Sequence, residues 1–155
     1  MDHQKSNFIR EDQFALLNKL GPAILPSWGK MNAQQMVEHV SAFFKVSTEK
    51  IKFPLVTPEE HLPKYKEFLL SDKPFRENTR APSDVLPDDP LPLHYPDLPT
   101  AVEKLKKEVD HFFTLFEGNG SLMTLHPVFG SLNFEEWVLL HYKHVQHHLR
   151  QFGMI

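Results

Sequence analysis

Residues 133–153 read NFEEWVLLHYKHVQHHLRQFG, and no other stretch of the chain says as much. Apolar Trp137, Leu140, Val145, Leu149 and Phe152 recur at helical spacing. Asn133 with Glu136 three residues on is a capping-box pattern, and Gly153 is a stop signal. This helix carries four of the chain's ten histidines: His141, His144, His147 and His148. Take about 100° per residue with His144 at zero. His148 then lies at about +40°, His141 at about +60° and Trp137 at about +20°. His147 lies at about −60°, toward Lys143, Arg150 and Gln151. The pattern predicts His144, His148 and His141 on the inward face and His147 on the outward one.

Three more segments show the same period. One runs roughly from Lys5 to Leu20 and stops at Gly21-Pro22. A second starts at Asn32, a good N-cap, and reaches about Ser47 on Met36, Val37, Val40, Phe43 and Phe44. A third begins at Thr100, with Glu103 completing a capping-box pattern, and closes at Gly118. No alternating stretch of useful length predicts a strand, so the expected class is all-α. Ten of the thirteen prolines fall between Pro54 and Pro99, in a long crossover between the second and third of these helices. Only His61–Leu70 within it reads as helical. The crossover also holds Phe53, Leu55, Phe68, Phe75, Leu91 and Tyr95, too much apolar surface for a free linker. An ordered loop wrapped on the helices is expected.

The length of 155 residues suits one domain, so residues 1–155 are read as a single unit with 54–99 inside it. Apolar residues at 41% and charged ones at 24% are ordinary globular usage. A net charge of −3 gives no footprint for nucleic acid. Absence of cysteine excludes disulfides, thiolate metal sites and a cysteine nucleophile. The start, MDHQKSNFIREDQF, has no apolar core of a signal peptide, and no window is apolar enough to span a membrane. A cytoplasmic protein without membrane contact is expected.

Two histidines at i and i+4 can clamp one divalent ion, the spacing that the zincin HExxH helix uses. Spacing alone is equally that of a core histidine beside a half-exposed one. Crowding shifts the balance. Three imidazoles on one apolar face must each find a partner or lose about 1–3 kcal/mol to desolvation. A shared cation resolves this at once. A third ligand is needed, and His39 lies on the inner edge of the second helix's buried face. Alone it reads first as a boundary histidine that packs its ring and wets its tip; beside the His144–His148 pair it is the natural third ligand. The alternative trio His141, His144 and His148 fails, because His141 and His148 are roughly 10 Å apart along the axis. His126, in LHPVFG, reads equally as an acid, base or fourth ligand near an ion and as a cap of its own loop. Trp28, Phe129, Trp137 and His141 are candidate pocket walls, although the tryptophans read first as core anchors. His3, His61, His94 and His111 read as surface or loop residues.

Two motifs carry a family resemblance. WGKMNAQQMVEHV (28–40) resembles the second-helix signature of the DinB-like superfamily. HPVFGSLNFEEWVLLHYKHVQHHLRQFG (126–153) resembles the last helix of one of its branches, a domain of unknown function. The resemblance implies a four-helix bundle in up-down-down-up order. It implies a divalent metal held by His39, His144 and His148. Three histidines do not fix which metal, and zinc or nickel is the first choice. Three neutral ligands hold an ion modestly, so chelators would strip it. Related proteins include S-transferases and isomerases that use low-molecular-weight thiols, and others described as metal-dependent hydrolases. A thiol-dependent S-transferase acting on a small molecule is the expected function. A metal-dependent hydrolase and a non-catalytic metal-binding bundle are the alternatives. The resemblance also allows a homodimer. The crossover and the HPVFG loop depart from the thiol-transferase pattern, which bears on the substrate more than on the metal.

Overall fold

The computed structural model describes residues 3–155. It is mostly helical, with one small two-stranded sheet. The first helical run joins α-helical His3–Asn7, π-helical Phe8–Asp12 and α-helical Gln13–Leu17, together called α1. It is followed by α2 (Ala33–Ser47), a 3₁₀ turn (Glu59–His61) and α3 (Leu62–Leu70). Then come α4 (Leu98–Glu117), β1 (Thr124–His126), β2 (Gly130–Leu132) and α5 (Phe134–Gln151). No helix among the described residues is long and apolar enough to cross a membrane.

The caps explain where the helices begin. Asn32 and Gln35 form a reciprocal capping box: Asn32 Oδ1 accepts from the Gln35 amide at 2.8 Å, and Gln35 Oε1 accepts from the Asn32 amide at 2.9 Å. Asn133 Oδ1 accepts from the Glu136 amide at 2.9 Å. The sequence predicts Thr100 as the start of α4, but Asp97 is the cap, accepting from the Thr100 amide at 2.8 Å. Pro99 in the first turn does not stop the helix, because a first-turn residue has no intrahelical N–H bond to lose.

α2 packs along α4 and also meets α5, while α1 touches both α4 and α5. Val37, Phe44, Leu105, Phe112, Trp137 and Leu140 are fully buried between them. Each such side chain contributes about 1.5–3 kcal/mol of apolar burial. The Phe112 ring meets those of Phe44, Phe113, Phe116 and Phe134.

The stretch between α2 and α4 is tied down along its length. The Val56 amide donates to the Pro127 carbonyl at 2.8 Å, and Thr57 Oγ1 to that of Val128 at 2.7 Å. Lys143 of α5 donates to the carbonyls of Ser71 and Lys73 at 2.5 and 2.6 Å. Glu38 of α2 accepts from the His94 amide at 2.7 Å and the Tyr95 amide at 3.4 Å. Prolines remove backbone donors, so side chains from the helices supply much of the fastening.

The expectation of a purely α chain needs one correction. β1 and β2 pair antiparallel, with His126 opposite Gly130. Pro127–Phe129 form the bend, and Gly130 takes φ +83°, which favours glycine. Three-residue strands are too short to leave a period in the sequence.

Candidate metal centre

α2 and α5 each bring histidine to the same place. α5 presents His144 and His148 one turn apart on one face, and α2 presents His39 opposite them. Nε2 of His39 lies 2.9 Å from Nε2 of His144, which lies 3.1 Å from Nε2 of His148. All three ligand atoms lie within 4.8 Å of one another. His144 and His148 are only 7% and 6% exposed, whereas His39 is half-buried. The cluster is therefore most accessible beside His39.

Burial pushes the His39 imidazole down to about 4, with a smaller push from His147. Burial, then the neighbouring histidines, holds His144 and His148 well below the ordinary range. All three are neutral at pH 7, the form that ligates a metal. The donor set fits a divalent ion on a second count. A single ring proton cannot serve both short Nε2 contacts of His144, whereas three bare lone pairs can share one cation. A tetrahedral ion with bonds of about 2.0–2.1 Å separates its nitrogens by about 3.4 Å, a few tenths wider than the two contacts here. The three histidines thus lie close enough to hold a metal ion. No fourth histidine, cysteine or carboxylate joins the group among the described residues.

The supports differ. His148 Nδ1 lies 2.7 Å from Gln151 Oε1. His144 Nδ1 is buried without a partner, and the ring is held by Phe43, centroids 4.1 Å apart. Gln151 falls at about −20° on the same wheel, three residues after His148, but its hold on the distant Trp28 carbonyl is not legible in the sequence.

Other expected residues fall elsewhere. His141 is fully buried in the core, stacked on Phe44 at 3.7 Å. Its Nε2 donates to Ser47 Oγ at 3.0 Å, because the Ser47 hydroxyl already donates to the Phe44 carbonyl. Trp137 is equally buried and donates to Thr124 Oγ1 at 2.7 Å. Both side chains lie wholly inside the core. Phe129 lines an open groove of about 380 Å³ with Glu59, Leu62 and Lys66, but none of the three histidines borders it. Trp28 is half-buried and packs on His147, centroids 5.4 Å apart.

His126 turns out to cap its own hairpin. Its Nδ1 accepts from the amides of Val128 and Phe129 at 3.0 and 3.1 Å. Burial pushes its pKa down to about 3. His147, expected to face outward, is only 5% exposed. Trp28 and Phe75 cover it, the latter from the stretch between α3 and α4.

Helices that bring three imidazole nitrogens to one point define, as a class, a helical domain with a candidate metal centre. Residues 26–154 match the family described as "Protein of unknown function (DUF1569)", and the chain belongs to that family. No curated protein and no solved structure matched the chain.

Proposed function

We propose that residues 1–155 form one DinB-like domain, with α1, α2, α4 and α5 as the bundle and 54–99 as the crossover. In this reading His39, His144 and His148 hold one divalent ion, zinc or nickel. The domain acts in the cytoplasm as a thiol-dependent S-transferase on a small molecule. The observation that carries the reading is the count of ligands: three convergent Nε2 atoms and no fourth protein donor among the described residues. Structural zinc sites close with four protein ligands, whereas catalytic sites keep three and leave a position for substrate. A divalent ion there supplies Lewis acidity toward a thiol or a water.

The protein's own contribution is orientation and exclusion of water. Neutral, buried His144 and His148 keep their lone pairs available at pH 7. Half-buried His39 and Phe43 border the more accessible side. The Phe43 ring sets His144 and offers an apolar surface to a substrate. A second reading has one observation in its favour. His144 and His148 are almost wholly buried, which suits an ion that ties α2 to α5 without chemistry.

The test is to load the protein with zinc or nickel and screen low-molecular-weight thiols against small electrophiles. Consumption of thiol that needs both metal and His144 supports the transferase. Ester or amide cleavage without thiol, still needing His144, moves the assignment to a hydrolase. Metal-dependent stabilisation with no turnover of either kind favours the tie.

A further inference from the structure

Gln151 closes α5 one turn beyond His148's neighbourhood and is 3% exposed. Both ends of its amide are engaged. Nε2 lies 2.9 Å from the carbonyl oxygen of Trp28, and Oε1 lies 2.7 Å from His148 Nδ1. A carbonyl oxygen only accepts, so the amide end facing Trp28 must be the NH₂. The other end is then an oxygen, which also only accepts, so His148 Nδ1 must carry the ring proton. A neutral imidazole protonated on Nδ1 has a bare lone pair on Nε2. That lone pair is the one aimed at the cluster.

The 27–29 turn is built around this amide. The Ser27 amide donates to the Gln151 backbone carbonyl at 2.7 Å. Gly29 sits at φ +80°, and a Cβ there would stand 2.9 Å from Gln151 Nε2. Glycine suits the backbone conformation, and a Cβ there would push the Gln151 amide from its place. The first and last motifs of the domain thus meet at one side chain. His144 has no such support, since its Nδ1 is unpartnered.

We infer that Gln151, clamped by the Trp28–Gly29 turn, is a positioning residue that fixes His148 as the Nδ1–H tautomer and leaves Nε2 free for a divalent cation. The cation part rests on the proposed metal reading; the tautomer part does not.

The test begins with nitrogen-15 NMR of the histidine rings in the full-length, metal-free wild type near pH 7. His148 is expected to be protonated on Nδ1 and bare on Nε2. An Nε2–H tautomer overturns the inference, whatever any variant does. Zinc affinity is then measured by competition with a chromophoric chelator in wild type, Gln151→Ala, Gln151→Glu and Gly29→Ala. Loss of an outer partner of this kind weakens binding about 10–100-fold, which is expected for Gln151→Ala and Gly29→Ala. Gln151→Glu keeps an oxygen acceptor and is expected to keep the tautomer. Folded Gln151→Ala with unchanged tautomer and unchanged zinc affinity overturns the inference. A wild type that binds no zinc but shows the Nδ1–H form refutes the metal reading and supports the positioning role.

Discussion

His39 and His144 stand 105 positions apart in the chain, and their Nε2 atoms are 2.9 Å apart. Two like acceptors at that distance repel unless a proton or a cation lies between them. A proton can serve only one of the two contacts that His144 makes.

Alanine at His39, His144 or His148 is expected to reduce bound zinc from about one ion per chain to near none. His147→Ala should keep its zinc, because that ring packs between Trp28 and Phe75, outside the trio. Elemental analysis after loading and desalting reads this directly. Retention in His148→Ala with loss in His147→Ala would assign the wrong neighbour.

Metal removal should lower stability by mass action. Free zinc at 100 times its Kd stabilises a single-site protein by about 2.7 kcal/mol. Thermal unfolding with added zinc, then with excess chelator, should show a rise in Tm that reverses. The same cycle on His144→Ala should show none.

His126 gives a pH dependence of known sign. Its imidazole titrates near 6.5 when unfolded and at about 3 in the folded protein, because burial opposes the charge. The unfolded chain therefore takes up the proton first. The stability is fully present above pH 6.5 and is lost as pH falls toward about 3. One such group steepens the decline by about 1.4 kcal/mol per pH unit in that window. Urea unfolding at several pH values should give a shallower decline in His126→Ala than in wild type. At pH 7 the variant should be less stable by about 1–3 kcal/mol, since the amides of Val128 and Phe129 lose their acceptor. Parallel curves for the two proteins would contradict the assignment.

Lys143 is a second fastener to test. It is buried, donates to the carbonyls of Ser71 and Lys73, and lies over the Phe68 ring at 4.9 Å. Lys143→Met should cost about 1.5–3 kcal/mol and speed amide exchange in residues 71–76 before that of α5. Uniform exchange across both regions would show that the lysine does not hold residues 71–76.

Local information carried the helices. Asn32 and Asn133 cap where the sequence predicts, because a cap is a contact between residues three apart. The i, i+4 pairing of His144 and His148 is likewise set by helix geometry alone, and the inward side of α2 puts His39 within reach. Asp97 displaced Thr100 as a cap because a proline in the first turn costs nothing there. The hairpin at His126 is not legible in the sequence, since its few bonds depend on a tight bend and leave no periodic trace. Tertiary structure alone decided the rest. A helical wheel assumes one buried face and one wet face. Here residues 71–75 fold back over His147 and Lys143, and the 27–29 turn covers Gln151, so all three are buried. The same wheel cannot tell a histidine of the core from one of a site. His141 shares its angle with His144 and His148, yet it lies one to two turns away along α5, against Phe44 and Ser47. Direction around a helix is written in the sequence; what stands opposite each turn depends on how distant segments pack.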